Sequence, residues 1–468
     1  MPDTPGPTFS LNHTEHCYVA FDGAMGSMVQ PYLLQFNAPL AEATVRQLVR
    51  ELVSVFPRLR GVAEAGAHFY HLRILPDGAV IDQKFEHAWR VDAHVDATDD
   101  RALEALHNRL LNEVLPLEHG LGCRFVFIPH ERTPVLFFCM HHMLGDGRTM
   151  IALVTALLRR LNGEPTMPVQ PVEDPSLLGA LKPAHWWQWP QQMWRSRRHQ
   201  VTQARSLAGL HALQVCSPQG PYLSVHALRH YTVPCRASAL RPLARRLGIS
   251  VNSLIMLALA ETYLAQAPDD PQAAAVIRQS LDLRPYFPKS DGHGSLWGNH
   301  VGAFLVIETG RKSLSERAQS IKAQVDAAVA RYERREMFWG YAWFSLVPWL
   351  GRTLLGSITV NMLRKRRGPR ISCHATSLGN VADLHRPDDQ VRLLRWVPGV
   401  PSLSMMHIVS ELNDQIIMPL SWQLCEAGLA HMDAYLRRLD EVFLGLAESA
   451  RKDAGTSAPL NSTSCGSS

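Results

Sequence analysis

Val135-Leu136-Phe137-Phe138-Cys139-Met140-His141-His142-Met143-Leu144-Gly145-Asp146-Gly147 is the stretch whose reading decides the fold. Its opening run is apolar and rich in β-formers, which reads as a buried strand. The run stops at two adjacent histidines, and Gly145 and Gly147 then bracket an aspartate. From Arg148 the pattern changes. Met150, Leu153, Val154, Leu157, Leu158 and Leu161 recur at three- and four-residue spacing, the apolar stripe of a helix. Strand, polar tight turn and helix together hold side chains rigidly at the rim of a sheet. Neighbouring strand residues point to opposite faces, so His141 and His142 cannot share one task. One is expected to be buried and structural, the other to face a cleft.

Working outward toward the N-terminus, Cys123 to Ile128 reads as a strand leading through Pro129 and Pro134 into the central one. Arg101 to Val114 and Ala41 to Phe56 read as amphipathic helices, and Val29 to Phe36 as a strand. His68 to Ile74 and Ala79 to Phe85 are expected to form a hairpin around Pro76-Asp77-Gly78. Toward the C-terminus, Pro165, Pro168, Pro171, Pro175, Pro183 and Pro190 punctuate a looser stretch up to about Tyr222. It reads as a crossover between two halves. Beyond it, Ser238 is expected to cap a helix ending at Gly248, and Ser250 another running through Leu254, Leu257, Ala258 and Tyr263. Ala274 to Leu281 and Val301 to Ile307 read as strands, and Met405 to Leu412 with Gln415 to Trp422 as a hairpin around Asn413-Asp414. Leu429 to Leu446 is the final helix, before a Ser/Gly/Thr-rich tail from Arg451. The expected domains are therefore 8–165, a crossover at 166–222, 223–448 and a tail at 449–468. The fold class is α/β, with strands and helices alternating in layers.

Composition narrows the function. The chain has 468 residues, 46% hydrophobic and 19% charged, so it carries apolar material for a large core. Its 47 Lys plus Arg against 42 Asp plus Glu give a net +5, too mild a balance to argue for nucleic acid. The eight cysteines are scattered without a Cys-x-x-Cys pair. That argues against a zinc ribbon or disulfide framework and for a reducing, cytoplasmic setting. The opening MPDTPGPTFSLNH has no basic and apolar leader pattern, so no signal peptide is expected.

Imidazole suits the central stretch to removing a proton from an alcohol, amine or thiol near neutral pH. No Gly-x-Ser-x-Gly elbow accompanies it, and adjacent histidines on a strand diverge too far to share a metal. Asp146 could orient the imidazole or pair with a distant cation. A turn carrying two core histidines is the competing reading of these residues alone.

His141 to Gly147 resembles the His-His-x-x-x-Asp-Gly signature of the chloramphenicol acetyltransferase-like superfamily. That group includes peptide-synthetase condensation domains, wax ester synthase/diacylglycerol acyltransferases and polyketide-associated acyltransferases. Ser250-Val251-Asn252-Ser253-Leu254-Ile255 resembles a helix start in their second half. Leu281-Asp282-Leu283-Arg284-Pro285 and Gly298-Asn299-His300-Val301-Gly302-Ala303-Phe304 resemble their Asp-Leu-Arg and Gly-Asn-x-x-Gly segments. Ser377-Leu378-Gly379-Asn380 resembles a turn of the alcohol-acylating members, with the Asn displaced. The likeness spans roughly Leu11 to Leu446.

The resemblance implies two similar subdomains, each a mixed sheet flanked by helices, with an active-site tunnel at their junction. It implies that His142 is the general base toward the acceptor, that His141 is structural, and that Asp146 pairs with Arg284. Gly147 would permit the turn and offer an N–H near the oxyanion, while Asn299 and Ser377 would line the tunnel. No metal or resident cofactor is implied. The donor would be an acyl-CoA or acyl-carrier protein, and the acceptor a lipophilic alcohol. Amide formation by a freestanding condensation enzyme is the alternative, and a catalytically silent scaffold a third reading. Finally, Met337 to Arg367 and Trp186 to Arg198 are dense in Trp, Tyr and Arg. Their apolar runs are shorter than the ~20 residues that span a bilayer. They suit peripheral contact with an anionic membrane face. Packing of both segments at the subdomain junction is the competing expectation.

Overall fold

The computed structural model describes residues 6–455 apart from 23–25, 67–68, 173–176, 216–224, 288–296, 345, 352–353, 356, 359–360, 362–370, 403 and 424–427. Two large sheets dominate. The N-terminal sheet has five strands in the order Leu393–Pro398, Val29–Phe36, Val135–His141, Cys123–Ile128, Trp89–Val91. Every pairing is antiparallel except the last. Its middle strand is the quoted run, buried at every position because helices and sheet cover both faces. Pro31 sits inside the neighbouring strand without breaking the sheet. The pairing with Leu393–Pro398 ends at Tyr32 opposite Pro398, so no ladder partner is waiting for the missing N–H.

Helix Gly147–Leu161 packs Met150, Leu153, Val154, Leu157 and Leu158 onto this sheet, as the stripe predicts. Val29–Phe36, Cys123–Ile128, and helices Glu42–Val55 and Asp100–Leu111 also fall where the periodicity places them, within a few residues. The expected hairpin around Pro76-Asp77-Gly78 does not form. Ala79–Ala88 is a helix that buries Ile81, Phe85 and Ala88, and Tyr70–Ile74 pairs instead with Gly61–Ala65 and Thr8–Ser10. Ile81, Phe85 and Ala88 recur at four and three residues, a helical period that outweighs the turn signal before it.

The C-terminal sheet has nine strands, with the path Thr232–Arg236, Gln415–Ile417, Met406–Leu412, Cys373–Asn380, Ala273–Asp282, Val301–Thr309 at its centre. One face packs on helices Ala237–Arg246, Val251–Leu264, Leu314–Glu333 and Gly428–Gly455. Ser250 caps its helix by accepting from Ser253 N. Ser238 does not cap. It lies inside helix Ala237–Arg246, with its hydroxyl on Asp414, and Arg236 holds the cap position without a side-chain bond. Gly248 follows that helix at φ +66°, the left-handed ending expected of it. The Ser377–Asn380 segment is not a turn but the bulged end of strand Cys373–Asn380. The stretch read as a loose crossover contains helices Leu177–Leu181 and Trp189–Leu207. These pack with Phe338–Phe344 through a small cluster of Ala180, Leu181, Leu283, Tyr332 and Phe338.

Candidate active site

His141 ends its strand and His142 follows it, so their side chains diverge. His141 is fully buried. Its Nδ1 accepts from Met143 N at 3.1 Å, which places the ring proton on Nε2, 3.6 Å from Asp22 Oδ1. His142 faces the other way, 7% exposed, with Tyr18 stacked on its ring at 4.0 Å and 5°. Its Nδ1 lies 3.2 Å from the Gly145 carbonyl and 2.7 Å from the Asn299 amide. A carbonyl accepts only, so a proton on Nδ1 answers Gly145, while Asn299 Nδ2, which also donates to the His142 carbonyl at 3.3 Å, answers an unprotonated Nδ1; the tautomer decides between the two. With the proton on Nδ1, Nε2 is the free lone pair. It has no partner among the described residues and is not sealed off from solvent. Burial pushes the His142 pKa down to about 4, against the pull of Asp146, so the ring is neutral at neutral pH.

Asp146 does not orient His142. It caps helix Gly147–Leu161, its Oδ1 accepting from Arg148 N and Thr149 N at 3.1 Å each. Arg284 grips both oxygens, Nη1 to Oδ2 and Nη2 to Oδ1 at 2.9 Å, and His300 N adds a further bond to Oδ2 at 2.9 Å. Burial raises the Asp146 pKa, but Arg284 and these N–H donors outweigh it and hold the carboxyl well below the usual range. Arg284 also reaches Asp282, Thr149 Oγ1 and Gly298 O. The pair therefore ties the turn of the N-terminal half to the Asp282–Arg284 and Gly298–His300 segments of the C-terminal half.

A second buried pair lies across the same turn. Arg58 Nη2 bonds Glu15 at 2.6 Å and also Met143 O, while its Nε bonds Leu144 O. Glu15 in turn accepts from Asn299 N at 2.9 Å. Arg58, Glu15 and Tyr18 were not singled out from the sequence. Asn12 and Glu15 do form a capping box at the start of helix His13–Phe21, a pattern legible at that spacing. Nothing local marks Arg58.

Gly145 and Gly147 are not in the left-handed region, so the turn does not need them for φ. Close approach explains them. A Cβ on Gly147 would lie 2.5 Å from Leu378 Cδ2, and one on Gly145 2.5 Å from Thr149 Cγ2. Ser377 sits beside Leu378 at the bulge and makes no hydrogen bond to the site among the described residues. His374, two strand positions before Thr376, does reach the site's wall. Its Nε2 lies 3.0 Å from Ser280 Oγ, and burial together with the Arg278 charge brings its pKa down to about 3.

No protein-family model matches the chain, and no curated protein matches it by sequence. Solved structures do match its shape. A trichothecene 15-O-acetyltransferase from Fusarium sporotrichioides aligns with a TM-score of 0.67 at 10% identity, over 94% of each chain. The first condensation domain of the calcium-dependent antibiotic synthetase aligns at 0.64 and 13% identity, over 94% of this chain and 97% of that one. Polyketide synthase associated protein 5 from Mycobacterium tuberculosis aligns at 0.61 and 15% identity, over 94% and 99%. At such identities the likeness is one of fold, and it extends from end to end of each relative. Two sheets flanked by helices, joined across the His141–Gly147 turn, thus make this chain a bearer of the chloramphenicol acetyltransferase-like fold shared by condensation domains and acyltransferases.

Proposed function

We propose that the chain is an acyltransferase in which His142 is the general base. The acceptor hydroxyl gives its proton to Nε2 as its oxygen attacks the carbonyl carbon of a thioester carried by CoA or a carrier protein. The new C–O bond forms, the C–S bond breaks, and the imidazolium returns the proton to the leaving thiolate. No acyl-enzyme is needed, since both substrates meet at one base. The observation that carries this reading is the placement of His142: its Nδ1 side is held by Gly145 and Asn299, its Nε2 has no partner among the described residues, and burial favours the neutral ring. A positioned base of this kind contributes typically ~10²–10⁴-fold. Gly147 opens its helix, and the cap oxygen Oδ1 of Asp146 accepts from Arg148 and Thr149 rather than from it. Its N–H at the positive end of the helix suits a developing oxyanion.

The acceptor side is read from the surface. Trp186 is 75% exposed, Trp343 70% and Trp349 62%, with Trp187, Trp194, Leu346 and Leu354 also exposed nearby in sequence. The two segments touch through Trp189 and Trp339, whose rings lie 6.2 Å apart, with Trp339 Nε1 donating to Trp189 O. The same short helix turns Tyr341 inward, 5.6 Å from the His13 ring. An exposed indole surface favours an amphiphilic acceptor taken from a membrane surface. Arg364 to Arg367 lie outside the described residues, and among those described no single helix is long and apolar enough to cross a membrane. The reading is tested by incubating wild type and His142→Ala with labelled acyl-CoA and a panel of alcohols and amines. Ester formation should fall at least ~10²-fold in the variant. Products only with amines would favour amide formation, and unchanged turnover would remove His142 from the chemistry.

A further inference from the structure

Strand Ala273–Asp282 has two unlike faces. Ala275 and Ile277 enter the C-terminal core, while Arg278, Ser280 and Asp282 alternate on the opposite side. Asp282 is held by Arg284 at 3.1 Å beside the His141–Gly147 turn, and Ser280 faces His374. In register, Arg278 stands opposite His374 on one neighbouring strand and Leu305 on the other. Neither is an acid. Arg278 is exposed although its strand is central, and among the described residues it has no ion-pair or hydrogen-bond partner. Three other arginines of the interior are clamped by acids: Arg58 by Glu15, Arg284 by Asp146, Arg317 by Glu308. Its charge reaches Tyr18, which stacks on His142, and Tyr341, opposing in each the upward push of burial on the phenol. A cation beside a reaction site, without an internal counter-ion, suits the recognition of an anion.

We propose that Arg278 reads a carboxylate on one of the two substrates, so that a hydroxy acid acceptor or a dicarboxylic half-thioester donor is preferred to its uncharged counterpart. The phosphates of a CoA or carrier donor are a poorer fit, since a whole pantetheine arm separates them from the thioester. Arg278 stands only four strand residues, about 13 Å, from Asp282 at the turn. This inference rests on the acyl-transfer reading for what enters the site, and its test has a binding arm that does not.

Calorimetric titration of the full chain would use 12-hydroxydodecanoate against its methyl ester, and glutaryl-CoA against pentanoyl-CoA, with wild type, Arg278→Gln and Arg278→Lys. The charged member of one pair should bind wild type about tenfold more tightly, the worth of a charge-assisted hydrogen bond. That ratio should fall to near one in Arg278→Gln and partly return in Arg278→Lys. The kcat/KM ratio for the same pairs then tells which substrate bears the carboxylate. The proposal is overturned if wild type binds neither charged probe, shows no preference in either pair, or keeps its preference in Arg278→Gln. It is also overturned if that variant weakens free CoA as much as glutaryl-CoA, which would assign the guanidinium to the donor phosphates. An Arg278-dependent preference without any acyl transfer would instead count against the acyl-transfer reading alone.

Discussion

Asp146→Asn keeps the shape of the residue at the centre of the junction and removes its charge. In the native site Oδ1 accepts from Arg148 N, Thr149 N and Arg284 Nη2, and Oδ2 from Arg284 Nη1 and His300 N. An amide has one oxygen. If that oxygen keeps the helix cap, the NH₂ group faces two donors; if it turns to Arg284 Nη1 and His300, the cap is lost. Breaking a buried pair costs about 3–5 kcal/mol because the surviving charge is left uncompensated. Arg284 retains Asp282, Thr149 and Gly298 O, so the lower end, about 3 kcal/mol, is expected. Arg284→Met strands the aspartate with three backbone N–H donors, at about 2–3 kcal/mol. The double variant removes both charges of this pair and should fall short of the sum by at least ~1 kcal/mol. Acid links to the same pair. A carboxyl held below its ordinary value near 3.9 contributes stability above that pH, lost as pH falls below it, and the double variant should lose this part of the acid sensitivity. Urea unfolding followed by far-ultraviolet circular dichroism measures all four proteins. Additivity within ~0.5 kcal/mol would refute a coupled pair.

Three further outcomes are expected. Because the folded site lowers the His142 pKa, the base stays unprotonated until acid, and kcat/KM should fall on the acid side with an apparent pKa of about 4. An acid limb near the ordinary ~6.5 would contradict this. Gly147→Ala drives a methyl group to 2.5 Å from Leu378 Cδ2 and should cost about 1–3 kcal/mol in thermal unfolding. Adding Leu378→Ala should recover part of that loss, and no recovery would mean that the glycine is needed for another reason. Wild type should float with anionic liposomes at low salt, and replacing Trp186, Trp343 and Trp349 by Ser should move it several-fold toward the unbound fraction. Protein that never floats would reduce the aromatic patch to a surface with another partner.

The sequence disclosed most of what is local. The strand, turn and helix around His141–Gly147 rest on period and composition, and they appear as written. Arg284 opposite Asp146 came from a motif, and the bidentate geometry bears out the pairing. What stayed hidden is what depends on distant chain. Arg58 and Glu15 meet across 43 residues to brace the turn, with no shared motif to announce them. Arg278 and His374 become neighbours only because two strands nearly a hundred residues apart lie parallel. The helix Ala79–Ala88 was misread because Pro76-Asp77-Gly78 is a strong turn signal, and a turn can precede a helix as readily as a strand. The strand Leu393–Pro398 alternates weakly, and nothing nearby tells which sheet it joins.

That last strand carries a consequence for any attempt to divide the molecule. It comes from the C-terminal half, yet it completes the N-terminal sheet against Val29–Phe36, burying Trp396 with its ring 5.2 Å from Tyr32. The two halves are thus laced together by main chain, as a buckle is by its tongue. An N-terminal fragment ending at 222 would leave Val29–Phe36 as a bare apolar edge, an invitation to pair with another copy. Supplying the missing strand in trans, as a peptide covering 390–402, should keep that fragment monodisperse in size-exclusion chromatography where the fragment alone aggregates. In the intact chain the same lacing limits how far the halves can swing apart.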